Sequence, residues 1–418
     1  MRWEPIRYSI GDEVEDWLYK TLLLGPKISQ VEQCPLLSQC SLYYVNKDVL
    51  FNGSQKSETF LSEIFSLFVA SHYRNSPNDI QTLSDSPSHE IFVLMAPFKP
   101  LRIVCAIQVS FEGKCNKNAC VKQGNLIPWV IYENFFDDQF LDKLGMRIVR
   151  VAVHPSMLSM GYGSLALLTL TNLFIDRHES HSSKSEHNAY TTGEQCSKNS
   201  ISVDYNPSCI MCDDQSTLFH PINTIKTPNI DWIGSSFGVS ERLLNFWKRS
   251  NFNPVCIKQT QSKTTGEFSI VLLKAIGNKT DEFDGMKTLF LERFVPLLSY
   301  SFKNLSPTLA LSLIYSSNAK VLDKKIHFSK DEVNRLTKFS NGLIDIKSIM
   351  DILPDLSRSY FYQNDLNKLS VVSQIALLMI GCQRKTVKEV AEYLSLDCFK
   401  VINLIISTIG TLLSTDLK

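Results

Sequence analysis

Residues 147–166 read Arg-Ile-Val-Arg-Val-Ala-Val-His-Pro-Ser-Met-Leu-Ser-Met-Gly-Tyr-Gly-Ser-Leu-Ala. The first half is rich in β-branched residues and predicts a strand, and His154-Pro155 predicts a turn. Gly161 and Gly163 then open an apolar pattern with helical spacing. A helix N-terminus presents unpaired N–H groups and a partial positive charge, and glycine has no Cβ to obstruct an anion. The order strand, turn and helix therefore predicts a seat for a pyrophosphate.

The glycine pattern separates this stretch from two common nucleotide-binding loops. It lacks the first glycine of G-x-G-x-x-G. The chain also has no G-x-x-x-x-G-K-[ST], because its only Gly-Lys pair, Gly113-Lys114, precedes a cysteine. The order of parts resembles instead the acyl-CoA loop of GNAT-type N-acetyltransferases, R/Q-x-x-G-x-G/A. On this window alone, an ordinary strand-to-helix turn stays open as the alternative.

Length and composition indicate a globular chain of more than one domain. It has 418 residues, of which 44% are hydrophobic and 20% charged, and its formal net charge of +1 gives no general attraction to nucleic acid. Its apolar runs stay short of the ~20 residues of a membrane span, and its first residues lack a secretory signal, so no membrane partner is expected. Eleven cysteines without a regular framework favour reduced thiols in the nucleus or cytosol.

Periodicity predicts three parts: a lead-in segment packed on the next domain (1–57), a mixed α/β domain (58–277) and a helical domain (281–418). Residues 177–228 are polar and lack periodicity, so we expect a loosely packed insertion there. Strands are predicted at 42–45, 91–95, 103–109, 147–153, 232–238, 255–259 and 268–273. Helices are predicted at 58–73, 162–176, 240–250, 286–303, 306–316, 329–342, 345–353, 369–382, 386–394 and 397–413, with breaks at Pro307, Gly342, Pro354 and Gly381.

The insertion contains one spacing that suits zinc. Cys209 and Cys212 form C-x-x-C, with His220 nearby. A structural zinc site needs a second close pair of ligands, which the segment lacks, so no metal site is predicted.

Blocks spread over nearly the whole chain resemble the C-terminal half of the RNA cytidine acetyltransferase family, and they occur in that family's order. Chance agreement of so many dispersed blocks is improbable, so this resemblance is more specific than the loop alone. It implies an α/β GNAT-type acyltransferase fold, a mixed sheet with flanking helices, followed by an α-helical tRNA-binding-like domain. The blocks are EPIRY (4–8), LYYVN (42–46), VASHYRNSPND (69–79), LIPW (126–129), RVAVHPSMLSMGYGS (150–164), LLNFWKR (243–249), GEFS (266–269) and LLSYSF (297–302).

The resemblance implies transfer of acetyl from acetyl-CoA to the exocyclic 4-amino group of cytidine in rRNA and tRNA. It further implies a role in ribosome biogenesis, a nucleolar location in the nucleus, and an adaptor protein or guide RNA as a partner. The family's full-length members carry a helicase-like module that uses ATP. This chain has no phosphate loop for it, so ATP would belong to an upstream ATPase module. The alternatives are a GNAT protein N-acetyltransferase and a catalytically degenerate ribosome-assembly scaffold.

The same resemblance assigns the acetyl-CoA site. The main chain of the splayed strand at Val151, Ala152 and Val153 would hold the thioester carbonyl, and Arg249 matches a family position assigned to acetyl-CoA. The family typically has Q-G-M-G-Y-G at the loop, so this chain lacks one polar side chain and one glycine. The pyrophosphate loop would comprise Leu158, Ser159, Met160, Gly161, Tyr162, Gly163 and Ser164.

The amine of cytidine is conjugated with its ring and is a poor nucleophile, so the reaction would rely on positioning and on stabilising the oxyanion. A general base must come from a group other than these main-chain atoms. His72 is the first candidate base, since it ends a predicted helix beside a polar segment and histidine titrates near neutrality. His154 at the loop is the second candidate, while Tyr73 and Asp79 would orient or bind the substrate. Many GNAT enzymes place an acidic tyrosine where this chain has Trp247, whose indole is no useful acid.

Overall fold

The computed structural model describes residues 7–23, 28, 34–71, 76–97, 102–114, 124–186, 217–277, 280–315, 326–363 and 368–415. The chain divides into two compact units. The first comprises Met1–Ser236 with Lys274–Lys279, and the second comprises Phe237–Leu273 with Thr280–Lys418.

A mixed sheet forms the centre of the first unit, with the strand order β5-β1-β2-β3-β4-β6. Neighbours from β5 to β4 are antiparallel, whereas β4 and β6 run parallel. The strands are β1 (Ser41–Val45), β2 (His89–Ala96), β3 (Arg102–Gly113), β4 (Leu144–Val153), β5 (Phe219–Pro221) and β6 (Trp232–Gly238).

Helices pack on this sheet through apolar stripes. Leu61, Ile64 and Phe68 recur at helical spacing on α3 and lie in one buried cluster with residues of β1 to β4. Phe174 of α7 packs against Phe111 of β3, with ring centroids 6.2 Å apart. The helices are α1 (Glu13–Thr21), α2 (Lys47–Leu50), α3 (Gln55–Ser71), α4 (Pro77–Asp85), α5 (Leu126–Phe135), α6 (Asp138–Leu141) and α7 (Tyr162–Glu186).

The second unit combines a β-hairpin with helices. Strands β7 (Asn253–Gln261) and β8 (Phe268–Ala275) pair antiparallel, and Gly266 in their turn has a φ of +71° that favours glycine. The helices are α8 (Glu241–Arg249), α9 (Thr280–Leu297), α10 (Pro307–Ile314), α11 (Lys330–Ser340), α12 (Leu353–Phe361), α13 (Val371–Leu377), α14 (Val387–Leu394) and α15 (Cys398–Thr415). A π-helical turn, Leu378–Cys382, extends α13.

Two prolines begin helices that the sequence reasoning did not predict. No helix was predicted between 74 and 88 and a break was predicted at Pro354, but Pro77 begins α4 and Pro354 lies in the first turn of α12. The fixed φ of proline suits a helix start, where its missing N–H would have no partner. The break predicted at Pro354 was therefore wrong, and helix α4 was missed.

The predicted insertion at 177–228 was wrong at both ends. Helix α7 continues to Glu186, because residues 177–186 contain no glycine or proline to stop it. Residues Phe219–Pro221 form β5, which pairs with β1. Residues 187–216 lie outside the described residues, as do Cys209 and Cys212 with their predicted spacing.

Among the helices that the structure describes, none is by itself long and apolar enough to cross a membrane. Helices α14 and α15, which are bent by 100° relative to each other, meet that criterion only as a pair.

A buried carboxyl on β2 makes the stability of the first unit depend on pH. Glu90 is 3% exposed, and its Oε2 accepts a hydrogen bond from the Tyr44 hydroxyl at 3.0 Å. Burial raises the pKa of Glu90 to about 7, although the charge of Lys47 acts against it. Between pH 4.5 and about 7, Glu90 is therefore protonated in the folded protein and ionised in the unfolded protein. The free energy of unfolding falls as pH rises through this range, because ionised Glu90 is costly to bury.

Glu90→Gln is expected to stabilise the protein at pH 8 by up to about 3 kcal/mol and to change little at pH 4. Glutamine still accepts from Tyr44 but carries no charge to bury. Burial lowers the pKa of His89 to about 4, so the contribution of His89 to stability changes with pH in the opposite direction. Urea unfolding of the variant should therefore be compared with that of the wild type at the same pH. Glu58→Gln, at an exposed position on α3, is the control. An equal effect of Glu90→Gln at both pH values would contradict the prediction.

Candidate functional site

Strands β4 and β6 pair over only part of their length. Their parallel register runs from Gly145 opposite Trp232 to Ile148 opposite Ser235. The hydroxyl of Ser235 donates to the Ile148 carbonyl at 3.1 Å at the end of this pairing. Beyond Ile148, β4 remains paired with β3 as far as Val153, but its register with β6 ends. The edge of β4 that turns away from β3 therefore offers main-chain N–H and C=O groups to a ligand.

A β-bulge lies where the two strands part. Gln108 and Val109 of β3 pair with Arg150 and Ile148 of β4, so Val149 is an extra residue on β4. Bulges increase the local twist of a strand and are frequent beside active sites. Val151 and Val153 beyond the bulge are half-buried, whereas the Ala152 side chain lies in the core cluster with α3. The predicted contribution of these three residues thus concerns their main chain.

An ion pair ties α4 to the splayed part of β4. Arg150 Nη2 lies 2.7 Å from Asp79 Oδ2, and the guanidinium carbon is 5.7 Å from the centroid of the Phe68 ring. Partial burial would raise the pKa of Asp79, but hydrogen bonds from Arg150 and Ser76 hold it below its ordinary value. Sequence reasoning offered Asp79 as a substrate contact, and the structure shows that it is already paired with Arg150.

His72 and Tyr73 lie outside the described residues, so their proposed roles as base and substrate contact stay predictions. The described chain ends at Ser71 on one side of them and resumes at Ser76 on the other.

The turn after β4 positions the start of α7. Met157 is buried and anchors a short 3₁₀ turn, Ser159 has a φ of +65° and Gly161 a φ of +96°. The first i to i−4 bond of α7 runs from Leu165 N–H to the Gly161 carbonyl at 2.9 Å, so the three N–H groups before it have no partner within the helix. No acidic side chain occupies this first turn. This geometry is compatible with an anion at the helix start, and the predicted pyrophosphate seat stays a prediction.

Residues 34–40 support this loop from outside. The Tyr162 hydroxyl donates to the Pro35 carbonyl at 2.5 Å, and a Cβ at Gly161 would lie 3.2 Å from Cδ1 of Leu37. The absence of a side chain at Gly161 therefore leaves room for Leu37. From the sequence, the same glycine had been explained by the close approach of a phosphate. Sequence alone gave no signal for this contact, because it joins segments more than 120 positions apart.

The remaining loop residues differ in what they expose. Leu158 and Met160 are each 50% exposed, while the Tyr162 ring is buried. Gly163 is buried in the first turn of α7, and Ser164 is half-buried. Tyr162 can thus bind an anion only through its main-chain N–H.

His154 caps the 3₁₀ turn. The Ser156 N–H donates to its Nδ1 at 3.3 Å, the Ser156 hydroxyl lies 2.7 Å from the same nitrogen, and the ring is buried. A neutral His154 that accepts at Nδ1 carries its proton on Nε2. These contacts give the ring a structural role, and its service as a base stays a prediction.

Two predicted residues lie on α8 in the second unit. Trp247 is buried between aromatic neighbours, with its ring centroid 5.9 Å from that of Phe237 and 4.9 Å from that of Phe252. Arg249 is exposed in the last turn, and its assignment to acetyl-CoA stays a prediction. Lys248 instead donates to the Ser312 carbonyl at 3.1 Å.

Within the described ranges, no group of three or more His, Cys, Asp or Glu side chains is placed to hold a metal ion. His220 is buried on β5, where its ring centroid lies 6.3 Å from that of Tyr44.

Ser159→Gly is expected to stabilise the protein by about 1 kcal/mol, because a side chain in the left-handed region strains the backbone by roughly that amount. Ser159 occupies the position where the resembling family typically has glycine, so acetyl-CoA affinity should rise a few-fold as the loop becomes better ordered. Thermal unfolding and calorimetric titration measure the two effects. Ser159→Ala keeps the Cβ and is the matched control. A gain in stability from alanine as large as that from glycine would show that strain is not the cause.

Both parts of the chain are similar to known proteins. Residues 63–277 match the family model described as GNAT acetyltransferase 2, and residues 286–414 match one described as a possible tRNA binding domain. The RNA cytidine acetyltransferase of Homo sapiens is 37% identical over 433 residues, covering 96% of this chain and 42% of the human protein.

Two further relatives carry the same name. The protein of Saccharomyces cerevisiae is 35% identical over 436 residues, covering 94% of this chain and 41% of the yeast protein. That of Dictyostelium discoideum is 32% identical over 467 residues, covering 99% of this chain and 44% of its own length. The chain therefore spans less than half the length of these relatives. The matches confirm the predicted GNAT-type fold followed by a helical tRNA-binding-like region.

Proposed function

The chain belongs to the RNA cytidine acetyltransferase family, and from this premise we propose that it transfers acetyl from acetyl-CoA to the exocyclic 4-amino group of cytidine in RNA. The observation that carries the proposal is the closeness in sequence of two features that a short turn joins. One is the edge of β4 beyond Ile148, which has no strand partner there among the residues that the structure describes; the other is the start of α7, whose first N–H groups precede the first intrahelical bond. Acetyl-CoA carries phosphates at one end and a thioester carbonyl at the other. Its pyrophosphate can bind at the start of α7 while its thioester carbonyl binds at the edge of β4.

The reaction needs positioning and charge stabilisation more than a strong base. The amine nitrogen attacks the thioester carbonyl carbon, the C–S bond breaks, and CoA leaves as a thiolate that takes up a proton. A main-chain N–H of β4 beyond Ile148 would donate to the carbonyl oxygen, which gains negative charge in the transition state. The N–H groups at the start of α7 would hold the pyrophosphate and so fix the thioester against that edge.

The amine loses one proton during the transfer, and the base that accepts it is proposed to be His72, with His154 as the second candidate. Tyr73 would orient the substrate. Trp247 is buried and its indole donates without serving as an acid, so the proton for the leaving thiolate must come from water or another group.

Family membership also supports narrower proposals about the whole protein. These are rRNA and tRNA as substrates, an adaptor protein or guide RNA as partner, a role in ribosome biogenesis and a location in the nucleolus. Use of ATP by an upstream ATPase module is proposed from the family resemblance alone.

Incubation of the purified chain with acetyl-CoA and RNA tests the proposal. We expect N4-acetylcytidine in the digested RNA by mass spectrometry, and none when every cytidine is replaced by uridine. Transfer to peptide lysines or N-terminal amines, with RNA left unmodified, would replace the proposal by a protein N-acetyltransferase. Failure of the wild type to bind acetyl-CoA in calorimetry would overturn both enzymes and leave a scaffold.

A further inference from the structure

Helices α14 and α15 meet in the geometry of a helix-turn-helix. Three residues, 395–397, join them, and the two axes are bent by 100°. The DNA-binding version of this motif has an interhelical angle of about 90–120° and a turn of about three or four residues, often with glycine. Ser395 takes the glycine position with a φ of +55°, and the Leu396 N–H closes α14 by donating to the Ala391 carbonyl at 2.9 Å.

Helices α11 and α13 hold this pair in place, and α11 packs on α15. Helix α13 with its π-helical turn contacts both α14 and α15. Val390 of α14 and Val401, Ile405 and Ile409 of α15 are fully buried in the resulting core. One face of α15 is therefore committed to packing, and its opposite face is presented outward.

The outward face of α15 has a composition that suits phosphate and bases. Its first turns expose Phe399, Lys400, Asn403 and Ser407, and Phe399 is 72% exposed. No Asp or Glu occurs between Cys398 and Thr415, in a chain that has 42 acidic residues. Amide, hydroxyl and ammonium groups donate to phosphate oxygens, while exposed aromatic rings stack on unpaired bases.

Neighbouring charges add to this surface. Arg384 and Lys388 are exposed before and within the first turn of α14. Acidic groups also lie on these two helices: Glu389 Oε1 of α14 is 3.2 Å from Lys385 Nζ, and Glu392 is exposed. At the start of α15, Asp397 Oδ2 lies 3.4 Å from Lys400 Nζ, and both of these side chains are more than half exposed. Such an exposed pair is weak and leaves the ammonium available to a phosphate.

We propose that α14 and α15 form an RNA-binding helix-turn-helix, in which Phe399 stacks on an unpaired base while Lys400 and Asn403 hold the adjacent phosphates. The inference rests on RNA being the substrate, as proposed above, and it assigns residues within a domain that the family model describes only as a possible tRNA binding domain. An unpaired loop or end fits better than a duplex, because the major groove of duplex RNA is too deep and narrow for side chains.

Fluorescence anisotropy with a labelled RNA hairpin that has an unpaired loop tests the proposal on the full chain. Phe399→Ala should weaken binding about tenfold, because one base-aromatic stack is lost. Lys400→Ala with Asn403→Ala should weaken binding and reduce the salt dependence by about one phosphate contact. Leu343→Ala, at a position 71% exposed, and Lys338→Ala on α11 are the matched controls and should bind as the wild type does.

The outcomes separate this surface from the activity. If the wild type binds the hairpin and both α15 variants bind equally well, the helix-turn-helix is not the contact, although acetylcytidine formation can still support the proposed function. If Phe399→Ala weakens binding to a fully paired duplex as much as to the hairpin, stacking on an unpaired base is wrong. If α15 variants bind less hairpin while the wild type forms no acetylcytidine on any RNA, the surface stands and the proposed reaction does not.

Discussion

Gly163→Glu is expected to abolish measurable acetyl-CoA binding, with an affinity at least about a hundredfold lower than that of the wild type. Gly163 lies in the first turn of α7, where the N–H groups precede the first intrahelical bond. A glutamate there would place side-chain atoms and a negative charge where the pyrophosphate sits. Loss of two charge-assisted hydrogen bonds, each about 1.5–3 kcal/mol, corresponds to a factor of this size.

Calorimetric titration with acetyl-CoA measures this effect. Gly163 is buried, so a glutamate there also costs stability, although an acidic side chain near a helix N-terminus favours the helix itself. Asn172→Glu, at an exposed position farther along the same helix, carries the same change and should bind normally. If a folded Gly163→Glu protein, as judged by its thermal transition, bound acetyl-CoA as the wild type does, the pyrophosphate would have to sit elsewhere.

Gly145→Ala is expected to destabilise the first unit by about 3 kcal/mol or more, which is large for one methyl group. A Cβ at this position would lie 1.9 Å from Cε2 of Trp232. The indole has no room to retreat, because it is fully buried and stacked on Phe140 at 5.6 Å. The clash sits in the parallel pairing that ends at Ile148, so acetyl-CoA affinity should fall as well.

Urea denaturation of a double-mutant set tests this steric argument. Trp232→Leu alone should destabilise by leaving a cavity, but in the Gly145→Ala background it should cost less or restore stability. Additive effects of the two changes would show that the methyl group and the indole do not compete for the same space.

The strand, turn and helix order at 147–166 was predictable because its periodicity changes from two to 3.6 within one short segment. Helix α5 was not predicted, since Leu126–Phe135 is rich in aromatic and β-branched residues and contains Pro128. The Ile127 N–H donates to the buried Glu112 carboxylate at 2.9 Å, a tertiary contact that favours the helix. The low helix propensity of this segment was therefore overridden by its contact with Glu112 on β3.

In the candidate site too, features set by local sequence were predictable, whereas contacts between distant segments were not. The free N–H groups at the start of α7 follow from local sequence, and the splayed β4 came from the family resemblance. The pairing of Asp79 with Arg150 and the capping by His154 depend on where distant segments meet. Residue types alone suggested substrate binding and acid–base roles for Asp79 and His154, whereas the structure gives each a local partner.

The contact of Leu37 with Gly161 bears on where this acyltransferase unit can be cut. The family model begins at residue 63, yet β1 lies between β5 and β2 in the sheet, and the Pro35 carbonyl receives the Tyr162 hydroxyl. A fragment that begins at residue 63 would lose the interior strand β1. Strand β2 would then be an open edge prone to pairing with other chains, and the loop before α7 would lose its contacts with Pro35 and Leu37. The modular unit for expression, or for transfer between proteins, therefore extends at least to residue 34.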